Sequence, residues 1–219
     1  MNNLGIDESW IKGGLDINQI ENILSLIVQK RKTKEILPSQ DNILSALKFT
    51  SLDNVKVLII GQDPYPSSEH AHGLAFSSLS DKTPASLKNI FKKLEEDFPG
   101  TKHSSNTLTE WAKQGVLLLN TSLTFEDKNP KILKQQTQLW EPVINNIYRV
   151  LINRKKTLIV FRWGSHAIKS GKVFEGKENI YVMDTTHPSP LSAHRGFMSS
   201  NHFVKCNEIL GKDAIDWST

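Results

Sequence analysis

The stretch Val55-Lys56-Val57-Leu58-Ile59-Ile60-Gly61-Gln62-Asp63-Pro64-Tyr65-Pro66 passes abruptly from a nearly unbroken apolar run to a turn-forming, polar one. A short apolar run of this kind suits a strand covered on both faces, as in a parallel sheet. Three further runs share the pattern: Val116 to Leu119, Leu158 to Phe161 and Ile180 to Met183. Between them apolar residues recur at helical spacing, in Ile17, Ile20, Ile23, Leu24 and Ile27, in Leu87, Ile90, Phe91, Leu94 and Phe98, and in Trp140, Val143, Ile144, Ile147 and Leu151. These are amphipathic helices with their apolar stripes turned to a core. Strands alternating with helices predict an α/β fold, a central four-stranded parallel sheet flanked by helices with right-handed crossovers. The polar, lysine-bearing stretch from Glu126 to Gln138 reads as an exposed connection.

The chain has 219 residues, enough for one substantial core, so one domain over 1–219 is expected. No run of about 18 apolar residues occurs, and Asp7, Glu8 and Lys12 stand where a signal peptide would be apolar. An intracellular protein with no membrane association is expected, cytoplasmic if the source is bacterial. The lone Cys206 forms no internal disulfide, and the missing Cys-x-x-Cys pair excludes the thiolate zinc sites of nucleobase deaminases. A net charge of +4 suits a polyanionic partner without requiring one.

In a parallel α/β sheet ligands sit beyond the carboxyl ends of the strands, so the residues after each run are the candidates. They read Gly61 to Pro66, Asn120-Thr121, Trp163-Gly164-Ser165-His166, and His187-Pro188-Ser189-Pro190-Leu191-Ser192. Asp63 is held at a strand exit by the following proline, which disfavours helical backbone before it. His187 sits in a loop stiffened by Pro188 and Pro190, and a histidine so held beside an aspartate suits polar catalysis. The amide of Asn120 offers a donor and an acceptor, enough to read a base edge, and Phe76 offers a face for a flat ring. Gly164, Ser165, Ser189 and Ser192 are small or hydroxylic, which lets backbone amides approach phosphates, and Lys169, His194 and Arg195 add charge nearby. Taken singly, each is also an ordinary turn or core residue. His70 and His72 stand two apart with no clear third ligand, so no metal site is expected.

In order and spacing, these segments together resemble the family 1 uracil-DNA glycosylases. The resemblance covers Gly61 to Tyr65, His72 to Ser77, Gly115 to Asn120, Trp163 to His166 and His187 to Phe197, within about Pro38 to Trp217. It implies that Asp63 orients the attacking water and stabilises positive charge on the sugar, and that His187 hydrogen-bonds the departing base. It implies a uracil pocket of Tyr65, Phe76 and Asn120 with Gln62 at its edge. Leu191 would enter the base stack, and Ser86, Gly164, Ser165, Ser189, Ser192 and Arg195 would meet the DNA. The implied partner is uracil-containing DNA, single- or double-stranded, bound by a monomer that uses no metal or organic cofactor and is blocked by small acidic proteins that imitate DNA.

Three positions depart from the pattern. Pro66 replaces a common histidine, Phe125 to Leu139 differs throughout, and Arg162 precedes Trp163, where it would contact phosphate or face solvent. Two rival readings stay open at this point: a DNA-binding module that has lost catalysis, and a glycosylase for an oxidised or alkylated base.

Overall fold

A computed structural model describes residues 4–219. Four strands, β1 (Val57–Gly61), β2 (Val116–Asn120), β3 (Leu158–Trp163) and β4 (Ile180–Thr185), form one sheet in the order β2-β1-β3-β4. Every pairing is parallel, and Gly61 lies in register with Asn120. Strands β1, β2 and β3 are buried along their whole length, as their unbroken apolar runs require. At the edge, β4 is only partly covered and leaves Tyr181 and Asp184 in solvent, so its apolar run does not mark a strand covered on both faces.

Eight α-helices are described: α1 (Glu8–Lys12), α2 (Ile17–Lys30), α3 (Ser45–Phe49), α4 (Ala85–Asp97), α5 (Thr109–Lys113), α6 (Pro130–Asn153), α7 (Ser165–Ser170) and α8 (His202–Leu210). The three predicted stripes fall on α2, α4 and α6 and are buried at Ile20, Ile23 and Ile27, at Leu87, Ile90 and Leu94, and at Trp140, Val143 and Ile147. Asp16 caps α2 by accepting from the Gln19 amide at 3.1 Å.

The expectation of a connection over Glu126 to Gln138 is corrected, because α6 already begins at Pro130. Asn129 accepts from the Lys131 amide, and Pro130 fills the first helical position, where its missing N–H costs nothing. The exposed Lys131 and Lys134 conceal this start, while Gln136 is buried and accepts a hydrogen bond from Thr124 Oγ1 at 2.6 Å. Leu133 packs with Tyr65 against Leu37, Ala71 and Phe125, so this divergent segment braces the loop after β1 from behind.

An aromatic cluster carries the core up to the sheet's carboxyl rim. Trp163, at the end of β3, meets Phe161, Phe197 and Phe203 within the core, and meets Phe76 edge-on at a centroid distance of 5.5 Å.

Candidate active site

Asp63, Tyr65, Phe76, Asn120 and His187 converge on one pocket of about 260 Å³ at the carboxyl rim, with Gln62 and Ser86 also on its wall. The pocket depends on the close approach of β1 and β2. A Cβ on Gly61 would fall 2.1 Å from Asn120 Oδ1 and 2.7 Å from the Ala75 Cβ, so glycine is what allows the Asn120 amide to lie at the pocket floor. Beyond the strands, the amides of Thr121 and Ser122 donate to the carbonyls of Gly61 and Gln62 at 3.1 and 2.9 Å, extending the strand pairing into the turn.

Asp63 follows this clamp. Burial raises its carboxyl to about 6, partly offset by a hydrogen bond from its own backbone amide. The group is therefore a poorly solvated anion near neutral pH, poised to gain from positive charge placed beside it.

Tyr65 donates from its hydroxyl to the Phe76 carbonyl at 3.0 Å, tying the loop after β1 to the 71–77 segment. Burial pushes the phenol well above its ordinary range, so it remains a donor at any working pH. Phe76 adopts φ 63°, a left-handed backbone that costs a non-glycine residue of order 1 kcal/mol. The Tyr65 bond and the Trp163 contact hold it there, with its ring 5.7 Å from that of His187.

His187 enters from the loop after β4. Its Nδ1 accepts from the Ser189 amide at 3.0 Å, and its carbonyl accepts from Ser192 Oγ at 2.8 Å. Ser189 and Ser192 also bond each other through their hydroxyls at 3.1 Å, and Asn89 on α4 donates to the Pro188 carbonyl at 2.8 Å. Prolines and hydrogen bonds together leave this loop little freedom. Gly164 makes room for it: φ is +90°, and an added Cβ would sit 3.0 Å from the His187 Cβ. Burial lowers the His187 pKa, so the ring is neutral at pH 7, and with Nδ1 accepting, its proton is on Nε2.

A shallow groove adjoins the pocket at His187 and brings together Gly164, Ser165, Ser192 and Arg195. Ser189 lines neither cavity and is tied to them through its bonds to His187 and Ser192. Leu191 projects from the same loop with 82% of its surface exposed. The structure thus gathers the predicted residues along one rim.

Two residues carry unexpected roles. His72 is a buried wall residue of the pocket whose Nε2 lies 2.6 Å from Ser77 Oγ; its place in the His72 to Ser77 segment was the available signal. Arg162 neither faces solvent nor reaches outward to phosphate. It is buried, bidentate to Asp184 at 2.7 and 2.6 Å, and bonded to Glu175 at 2.8 Å. Parallel register places Arg162 directly beside Asp184, which sequence spacing does not reveal. Among the described residues no group of three or more His, Cys, Asp or Glu side chains is placed to hold a metal ion. No described helix is long and apolar enough to cross a membrane.

The chain matches the family model described as the uracil DNA glycosylase superfamily over residues 47–211. It is 43% identical over 198 residues to a uracil-DNA glycosylase of Francisella tularensis subsp. tularensis, covering 88% of this chain and 89% of that protein. It superposes on the crystal structure of mimivirus uracil-DNA glycosylase with a TM-score of 0.84 at 25% identity, over 99% of this chain and 88% of the other. A mimivirus UNG variant solved in complex with UGI gives a TM-score of 0.86 at 24% identity over 99% and 90% of the two chains, a likeness of fold.

Proposed function

This chain belongs to the uracil DNA glycosylase superfamily and excises uracil from DNA hydrolytically in base excision repair, and from that premise we propose how its residues divide the work. Breaking the bond between uracil N1 and the sugar C1′ leaves the electron pair on the base and oxocarbenium character on the sugar. Asp63 faces the sugar as an anion, stabilises that cation and orients the water whose oxygen bonds C1′. His187 donates from Nε2 to the uracil oxygen that gathers negative charge. A preorganised donor of this kind contributes roughly 2.7–4 kcal/mol in comparable oxyanion sites. The water's proton leaves through Asp63 to solvent, and the departing uracil anion takes up one proton from solvent, so atoms and charge balance as free uracil and an abasic site.

The observation that carries this reading is the pairing, in one pocket, of a desolvated carboxylate and a neutral ring with a fixed N–H. Tyr65 closes the pocket against the C5 position, Phe76 stacks on the base, and the Asn120 amide reads the N3 and C4 edge, with Gln62 at the rim. Cytosine reverses the donor and acceptor at that edge and is rejected by an amide held in one orientation. The same pocket disfavours larger oxidised or alkylated bases, and the presence of both Asp63 and His187 argues against a module that has lost catalysis.

Flipping the nucleotide into the pocket costs a few kcal/mol of unstacking. Leu191 fills the vacated stack, while Ser86, Gly164, Ser165, Ser189, Ser192 and Arg195 receive the flanking phosphates. We take the enzyme to act as a monomer, and its DNA substrate puts that action inside the cell. Because a mimivirus relative is solved with UGI, we extend that interaction here: protein inhibitors that imitate DNA dock over Leu191 and the groove. Uracil release from a defined oligonucleotide by the wild type and by Asp63→Asn tests the assignment. The variant is expected to lose nearly all activity, and wild-type release by it removes Asp63 from the mechanism.

A further inference from the structure

Thr121 follows Asn120, but it lines a second cavity on the α6 and α7 side rather than the uracil pocket. Its side chain is polar at a position only 4% exposed. Oγ1 lies 3.0 Å from the Gln62 carbonyl oxygen and 2.6 Å from Nε2 of His166. A hydroxyl has one hydrogen and a carbonyl oxygen has none, so the Thr121 hydrogen goes to Gln62 and His166 must donate from Nε2. The result is a directional relay from the His166 N–H through the Thr121 hydroxyl to the Gln62 carbonyl, in which each bond polarises the next.

The far end of this relay is one edge of a peptide plane. The Gln62 carbonyl and the Asp63 N–H belong to the same planar unit, so fixing the first fixes the second. That Asp63 N–H is the backbone donor to the Asp63 carboxylate. The Thr121 hydroxyl is not needed to build the turn, because the amides of Thr121 and Ser122 already bond the Gly61 and Gln62 carbonyls. What it adds is a second donor on the Gln62 oxygen, which holds the tilt of the plane.

We infer that Thr121, oriented by His166, is a positioning residue for Asp63: it fixes the Gln62–Asp63 peptide and thereby aims the carboxylate. The inference rests on the proposed reading of Asp63 as the group that orients water and stabilises the sugar cation. The relay itself survives acid, since a proton added to His166 enters at Nδ1 and leaves the Nε2–H in place. The titratable groups around it are Lys169, Lys172 and Glu141 in the second cavity, and those facing Asp63 are Tyr65, His72 and His187.

The test is single-turnover release of uracil from a single-stranded oligonucleotide between about pH 5 and pH 9, with DNA affinity measured separately. Thr121→Val keeps the shape and removes the hydroxyl. Its maximal rate is expected to fall about 10–100-fold with DNA affinity changed less than about twofold. Its acid limb is expected to move to higher pH as the carboxylate loses a donor. Thr121→Ser should restore both rate and limb, and adding His166→Phe to Thr121→Val should cost nothing further. A Thr121→Val enzyme at the wild-type rate, a loss shared by DNA affinity with the limb unmoved, or a Thr121→Ser enzyme as impaired as the valine variant overturns the inference. If Thr121→Val does not fold, His166→Gln, whose amide can still donate, is compared with His166→Phe. A retained rate in the first and a reduced rate in the second supports the relay, and equal rates overturn it. Asp63→Asn separates the two levels: full activity there removes the reading of Asp63, whereas an inactive Asp63→Asn beside an unaffected Thr121→Val removes only the positioning role.

Discussion

The backbone N–H of Ser189 donates to Nδ1 of His187 across 3.0 Å, which commits the one proton of a neutral imidazole to Nε2. Burial depresses the ring's pKa in the same direction, so the neutral Nε2–H form is favoured twice. Nitrogen NMR of ring-labelled enzyme bound to DNA is expected to show His187 uncharged at pH 7. A fully charged ring under those conditions contradicts the assignment.

Asp63 should impose the opposite limit. Its folded pKa is about 6, above the ordinary 3.8, so the anion that catalysis requires is lost as pH falls through about 6. The kcat/KM profile should therefore drop on the acid side with an apparent midpoint near 6. The same shift has a stability consequence of the reverse sign. Ionising Asp63 destabilises the folded state, a penalty absent below 3.8, growing up to about 6 and complete above it. Asp63→Asn removes the charge and should gain up to about 3 kcal/mol of stability at neutral pH, with no gain in strong acid. Denaturant melts at two pH values check this, and a variant less stable at pH 8 than the wild type counts against a desolvated carboxylate.

Tyr65 is fixed by its bond to the Phe76 carbonyl and by its packing on the Leu37, Ala71 and Phe125 cluster, so its ring resists displacement by a methyl group. Attraction alone separates substrates differing by a methyl by only about 1–3 kcal/mol, whereas a rigid wall excludes by clash. Tyr65→Ala is expected to release thymine from DNA, with slower uracil release as the Phe76 carbonyl loses its donor. A folded variant that releases no thymine assigns discrimination to another part of the pocket.

The sheet was legible because a strand buried on both faces is apolar along most of its length, and β1, β2 and β3 follow that rule up to their ends, Arg162 in β3 being the exception that pairs with Asp184. The rim followed from it, since parallel strands present all their exits on one side, where Asp63, Asn120 and His187 lie. The start of α6 was hidden because surface lysines around an asparagine cap look the same in a loop. Arg162 and the Thr121–His166 pair were illegible for a different reason. Their partners are 22 and 45 residues away, in contacts made only by sheet register and helix placement.

Leu191 stands 82% exposed on a loop that is otherwise pinned. The hydroxyl of Ser192, the amide of Ser189 and the side chain of Asn89 each fix a neighbouring backbone or ring atom, while Leu191 projects without packing on its own core. An exposed leucine on a rigid mount suits insertion between bases, where it offsets part of the few kcal/mol lost in unstacking. A single strand has no complementary stack to refill. Leu191→Ala should therefore slow uracil release from duplex DNA about tenfold or more, the effect of roughly 1.4 kcal/mol or greater, and leave single-strand release nearly unchanged. Parallel single-turnover assays on the two substrates decide the matter, because a leucine that merely supported the loop would disturb His187 and reduce both rates equally.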